Sequence, residues 1–155
     1  GYMHDIGNCT NREDHAQTGA VMAFQILTRM GMPPEDIAEV ICAIGNHDEH
    51  TGSAVTPITA ALILADKSDV RRSRVRTSST VATDIHDRVN YAVYTSSLTI
   101  GPQKGELILS LKIDTAISAV MDYFEIFLTR MMMCRKAAEF LKLNFQLQIN
   151  DTRLL

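Results

Sequence analysis

At 155 residues, with 46% hydrophobic and 21% charged residues and a net charge of −3, the chain suits one globular domain, or one core with a small appendage; a disordered tail and a generic polyanion binder are excluded. Cys9, Cys42 and Cys134 are odd in number, far apart and lack a Cys-x-x-Cys pair, which argues against a disulfide framework and a thiolate zinc site. The most apolar stretch, Met121 to Met133, is interrupted by Asp122, Glu125 and Arg130, so no membrane span is expected; the net charge gives no nucleic-acid reading, and the cysteine pattern fits a reducing, cytoplasmic location.

The first informative residues are His4 and Asp5. Neighbouring helical positions point about 100° apart, so one helix passing an ion can offer it an imidazole and then a carboxylate. That nitrogen and oxygen mixture suits Zn, Fe, Mn, Co or Ni, whereas Mg and Ca sites are mostly all-oxygen. Three more ligand types, His15, His47 and Asp66, follow at spacings that suit consecutive helices.

Glu13 or Asp14 opens a helix from about His15 to Met30, with Ala20, Val21, Phe24, Ile26, Leu27 and Met30 as its apolar positions. Gly31 ends it. Pro33-Pro34-Glu35-Asp36 starts the next, because proline is tolerated in a first turn and acidic groups favour a helix N-terminus. That helix carries Ile37, Val40, Ile41 and Ile44 inward and delivers Asn46 and His47 at its C-terminal end. After a polar turn, roughly Asp48 to Thr56, Pro57 opens a third helix through Ile58, Leu62, Ile63, Ala65 and Asp66. An unpaired carboxylate inside that apolar run would be costly to bury, so Asp66 is expected to have a partner, and a cation is the economical one.

Beyond Arg76 the pattern changes. Thr77 to Thr80 reads as a linker and 84–88 as a short helix. Val89, Tyr91, Val93 and Thr95 then share one face of a candidate strand, and Leu107, Leu109, Leu111 and Ile113 one face of another. Asp114 or Thr115 caps a long helix whose apolar stripe is Ile117, Val120, Met121, Phe124, Phe127, Leu128, Met131, Ala138 and Leu141. A last alternation, Leu143, Phe145, Leu147 and Ile149, makes a third strand. The expected organisation is a helical metal-binding domain over 1–76, a linker and short helix over 77–88, and a β-β-α-β unit over 89–155. The fold class is mostly α with a small α+β tail. A sheet with one helix-covered face needs a partner surface, so the tail is expected either to pack on the helical half or to pair with a second copy in a homo-oligomer; Met131 to Met133 suit an adaptable interface, although core packing is the commoner role of any single Met.

The runs Tyr2-Met3-His4-Asp5-Ile6-Gly7-Asn8, His15-Ala16-Gln17-Thr18-Gly19-Ala20, Ala43-Ile44-Gly45-Asn46-His47 and Leu64-Ala65-Asp66-Lys67 resemble the HD superfamily of metal-dependent phosphohydrolases over about Gly1 to Arg76. The His-x-x-x-Gly step at His15 and Gly19 is most similar to its dinuclear branches, the HD-GYP cyclic dinucleotide phosphodiesterases and the HD-type dinucleoside tetraphosphate hydrolases. The resemblance implies an HD-type helical bundle with two divalent ions. His4 would bind one ion, Asp5 would bridge both, His15 and His47 would serve the second, and Asp66 would close the first.

It departs in places. Asn46 stands where HD-GYP proteins have the first residue of a His-His-Glu run, and no Gly-Tyr-Pro follows Gly52, which argues against cyclic-di-GMP. His50-Thr51-Gly52 is similar to the His-Thr-x-Gly of the tetraphosphate hydrolases, although His47 stands at the more usual distance before Asp66. The family has a further His ligand on a helix upstream of the His-Asp pair, so the domain is expected to begin after its N-terminal helices.

A divalent ion brings the pKa of coordinated water towards neutrality and provides a hydroxide that attacks phosphorus, and a second ion holds the phosphoryl oxygens. Asp5 and Lys67 are the expected catalytic residues. Lys67, Arg71, Arg72, Arg74 and Arg76 cluster past Asp66, and arginine forks match phosphate oxygens. Lys67, Arg71, Arg72 and His50 are therefore the expected contacts to a small phosphorylated substrate such as a nucleotide. The alternative is a catalytically impaired regulatory or binding module that dimerises through its tail.

Overall fold

The computed structural model describes residues 1–75 and 84–154. Arg76 and the expected linker from Thr77 to Thr80 lie outside them. The chain divides into two units, Gly1–Leu64 and Ala65–Leu155. The first is helical, and the second combines helices with a small mixed sheet.

In the first unit a 3-10 turn, Ile6–Cys9, leads to α1 (His15–Arg29), α2 (Pro34–Gly45) and the start of α3 (Pro57–Lys67). Pro34, Glu35 and Asp36 occupy the first turn of α2, as expected. Gly31 follows α1 at φ +76°, a left-handed conformation that favours glycine, and so ends the helix. The buried face of α1 is not the one its large residues suggest. His15, Ala16, Gly19, Ala23 and Leu27 form the buried stripe, whereas Val21, Phe24 and Met30 are exposed. Small side chains at four-residue spacing let backbones approach closely, and here that outweighs the area that three larger residues would have buried. His47 lies just after α2, whose cap is Asn46.

In the second unit a 3-10 turn, Arg72–Arg74, precedes α4 (Ile85–Ala92), β1 (Val93–Ile100), β2 (Glu106–Ile113), α5 (Val120–Phe140), β3 (Asn144–Ile149) and β4 (Thr152–Arg153). The sheet order is β1-β2-β3-β4. β1 and β2 are antiparallel with Leu98 opposite Leu109, while β2 and β3 are parallel with Leu109 opposite Leu147. A parallel pair needs a crossover, which α5 provides. Asn150 and Asp151, at φ 50° and 67°, make the two-residue turn into β4, a strand the sequence pattern had not suggested.

Two boundaries differ from expectation. Val89 and Tyr91 belong to α4, not to a strand, because the Asp84 carboxylate accepts from the His86 and Asp87 N–H groups and starts a helix that buries Val89 and Ala92 on one side. α5 begins at Val120, so Ile117 lies outside it. The Asp114 carboxylate accepts from Ala116 N–H and its carbonyl from Ile117 and Ser118, which closes a separate turn. The helix restarts where Asp122 accepts from Ser118 Oγ and Ala119 N–H.

The buried stripe of α5 is Tyr123, Phe127, Met131, Cys134 and Ala138, with Met121 and Leu128 exposed. Met131 and Met133 are core residues and Met132 is exposed. Burial also pushes the Tyr123 phenol well above its ordinary value, with a smaller contribution from Cys134. Leu107, Leu109, Leu111, Ile113, Phe145, Leu147 and Ile149 are buried as the alternation implied.

Candidate metal centre

Three imidazoles and one carboxylate come together in the first unit. Asp5 Oδ1 lies 3.5 Å from His15 Nε2 and 3.6 Å from His47 Nε2, and Asp5 Oδ2 lies 3.6 Å from His4 Nε2. The His4 and His15 rings each meet the His47 ring edge-on, with centroids 5.1 Å apart.

Each imidazole is oriented by its other nitrogen. His4 Nδ1 lies 2.7 Å from Gly1 O, His15 Nδ1 3.0 Å from Arg12 O and His47 Nδ1 2.6 Å from Ile44 O. In all three the acceptor is a carbonyl three residues earlier, so local backbone geometry supplies it. For His47 the acceptor is one of the carbonyls that the end of α2 leaves without a helical partner. For His15, Asp14 at φ 56° turns the chain so that Arg12 O faces the start of α1. A neutral imidazole donating through Nδ1 carries its lone pair on Nε2, the arrangement typical of metal-binding histidines.

The distances then decide what the cluster can hold. A separation of 3.5–3.6 Å is too long for direct N–H···O hydrogen bonds. Two ligands on a tetrahedral ion with bonds of about 2.0–2.1 Å stand about 3.4 Å apart. Asp5, His15 and His47 offer ligand atoms that all lie within 4.8 Å of one another and could therefore hold a cation. His15 and His47 side chains are 5% and 1% exposed, whereas that of Asp5 is 45% exposed. The cluster thus has dry imidazole walls and one edge open to solvent.

Asp66 and Lys67 close α3, which runs on from the first unit into the second. Lys67 is buried, with its Nζ 2.6 Å from Asp66 Oδ2, so its charge is directed at that carboxylate. Arg71 and Arg74 are exposed and both bind Asp69, at 2.6 and 3.2 Å. Arg72 is engaged more deeply: its Nε donates to Tyr91 O at 2.7 Å and its guanidinium lies 4.2 and 4.3 Å from the Tyr91 and Tyr94 ring centroids. Of the two arginines expected to meet substrate, Arg71 is therefore tied to Asp69 and Arg72 is stacked within the second unit; of the rest of the cluster, Arg74 also binds Asp69 and Arg76 lies outside the described residues.

His50 is exposed in the loop after α2, where its N–H is bonded to Asp48 Oδ2 at 3.0 Å. It borders an open cavity of about 590 Å³ that is also lined by Arg12, Glu13, Asp14 and His15. Gln17 Nε2 donates to Thr51 Oγ1 across its wall at 3.1 Å. Its carboxylates, which include Asp48 and Glu49, outnumber its cations, so the cavity does not by itself attract an anion.

Sequence reasoning used Gly19 only as part of the His-x-x-x-Gly step and gave Gly7 no role of its own. A Cβ on Gly7 would stand 2.0 Å from His15 O and 2.7 Å from Gly19 N, so the 3-10 turn that follows Asp5 rests directly on the backbone of α1. The signal available was a glycine two residues after the His-Asp pair and another four after His15. The chain matches no known protein family, no curated protein and no solved structure.

Proposed function

We propose that the protein is a metal-dependent phosphohydrolase of the HD type, acting on a nucleotide or another small phosphoester. The observation that carries this reading is the convergence of three Nε2 atoms on the two oxygens of Asp5, each with its Nδ1 bonded to a carbonyl. A structural histidine needs one satisfied nitrogen. Three oriented alike about a carboxylate are what a cation requires.

In this reading His15, His47 and Asp5 would hold one divalent ion, and His4 with the other oxygen of Asp5 would contribute to a second. Fe, Mn, Zn, Co and Ni all suit this donor set. Bound ions would supply Lewis acidity towards phosphoryl oxygens and lower the pKa of water. The exposed edge of Asp5 admits water and substrate, while the buried imidazoles keep the other side dry. Lys67 acts through Asp66, holding its carboxylate in place. Hydrolysis adds a water oxygen to phosphorus, breaks the P–O bond to the leaving group and transfers one proton to it. With Arg71, Arg72 and Arg74 engaged by Asp69 and the two tyrosines, phosphate affinity falls chiefly to the cations.

Cys9, Cys42 and Cys134, none of them in a disulfide, are compatible with a reducing, cytoplasmic setting. Exposed Met121, Leu128, Met132 and Phe140 on α5 offer an apolar surface to a second copy. The test is elemental analysis of protein purified without added metal, with hydrolysis of a panel of nucleotides and a generic phosphodiester. Wild type is expected to carry transition metal and turn over at least one ester, and Asp5→Ala to lose both. Bound metal without turnover favours the regulatory module, and a metal content no higher than that of Asp5→Ala overturns the metal reading itself.

A further inference from the structure

We infer that Gly7 and Gly19 are positioning residues for the metal centre: they form a backbone spacer that fixes the distance from Asp5 to His15. The inference rests on the metal reading above. His4 and Asp5 precede the 3-10 turn Ile6–Cys9, and His15 begins α1, so no regular hydrogen-bonded ladder joins the two ligand-bearing segments. What sets their separation is contact. Each glycine lies where the other segment's backbone passes: a Cβ on Gly7 would be 2.0 Å from His15 O, and one on Gly19 would be 3.2 Å from Gly7 N and 3.5 Å from His4 O. These are backbone atoms, which cannot swing aside as a side chain can; a Gly19 Cβ would also meet the Ile44 side chain, whose Cγ2 would stand at an ordinary 3.4 Å.

Magnitudes separate the two positions. A methyl on Gly7 requires the segments to part, because no rotamer relieves a 2.0 Å contact with a carbonyl oxygen. At Gly19 the neighbour must give by only a few tenths of an ångström. That is a small strain for the fold but exceeds the tolerance of about 0.2 Å that a ligand bond allows. Gly19→Ala thus separates the positioning role from a folding role. Gly45→Ala is the control, since within 4 Å its Cβ would meet only Ala20 Cβ, at an ordinary 3.7 Å, between α2 and α1 and away from the turn that carries His4 and Asp5.

The experiment measures Zn²⁺ affinity by competition with a chromophoric chelator and records the visible spectrum of the Co²⁺ form for wild type, Gly19→Ala and Gly45→Ala, alongside the melting temperature of each metal-free protein. Gly19→Ala is expected to bind Zn²⁺ about tenfold or more weakly and to show an altered Co²⁺ spectrum, with a metal-free melting temperature close to wild type. Gly45→Ala is expected to stay within about twofold of wild type in affinity, the scale of ordinary surface effects. Wild-type affinity and spectrum in Gly19→Ala would overturn the inference and leave the metal centre standing, as would an equal loss in Gly45→Ala. Failure of wild type to bind either ion would overturn the proposed function as well.

Discussion

Arg72 shows how one side chain changes meaning between sequence and structure. Its charge and place after Asp66 suggest phosphate contact, yet the guanidinium lies against Tyr91 and Tyr94 and donates to Tyr91 O. Removing two cation–π contacts and a charged hydrogen bond should cost about 2 kcal/mol, so Arg72→Ala is expected to lower the urea midpoint of unfolding, with Arg72→Lys recovering only part because an ammonium cannot stack as a plane. The same cluster governs an acid. The Tyr94 hydroxyl, 2.7 Å from Asp114 Oδ2, is the main cause that holds the Asp114 carboxyl below its ordinary 3.8, with Ala116 N–H next; desolvation opposes them, and the Arg72 charge adds the least. Because the folded value is depressed, the stabilising contribution is complete above 3.8 and is lost as pH falls through the folded value. Tyr94→Phe is expected to move the Asp114 titration up towards 3.8 when followed by carboxyl NMR, and an unmoved titration would show that the hydrogen bond is not what depresses it.

Element boundaries turn on polar contacts that hydrophobic spacing does not register. Val89, Tyr91 and Val93 satisfy a period of two, but Ile85, Val89 and Ala92 equally satisfy a helical face, and the Asp84 cap decides for the helix. Asp84→Ala is expected to cost about 1 kcal/mol and to reduce far-ultraviolet helical signal at Ile85–Ala92, because two first-turn N–H groups lose their acceptor. α1 and α5 fail the same way for a different reason. The length of α1 was readable from period and caps, whereas α5 starts later than its expected Asp114 or Thr115 cap; the buried face of α1 is rotated from the one its bulkiest residues define, and that of α5 keeps Phe127 and Met131 but leaves Met121 and Leu128 exposed. Gly19 and Ala23 in α1, and Cys134 and Ala138 in α5, are buried because close approach favours small groups, while Phe24 and Leu128 remain exposed.

At the scale of the molecule, the expected consequence of the proposed metal centre is linkage between ion and fold. A ligand that binds only the native state at about 100 times its dissociation constant stabilises it by about 2.7 kcal/mol. Adding Mn²⁺ or Zn²⁺ to chelator-treated protein is therefore expected to raise the unfolding midpoint, and Asp5→Ala to abolish the rise without lowering the midpoint of the metal-free form. An increase of equal size in the variant would place the ion elsewhere. Four residues with little order of their own, His4 and Asp5 before a single 3-10 turn, His15 at the start of α1 and His47 just past α2, hold the geometry because three carbonyls and two glycines fix them.

Read alone, the sequence determined the chemical types in the site, the helical character of the first half and the alternation of β2 and β3, because ligand chemistry and apolar period are properties of residue order. The tertiary structure decided how closely Asp5 approaches His15 and His47, which arginines are engaged by Asp69 and by tyrosine rings, and which face of each helix is buried. Those outcomes depend on what stands opposite each residue in space, and a contact such as that of Gly7 with the His15 carbonyl has no signature in either segment by itself.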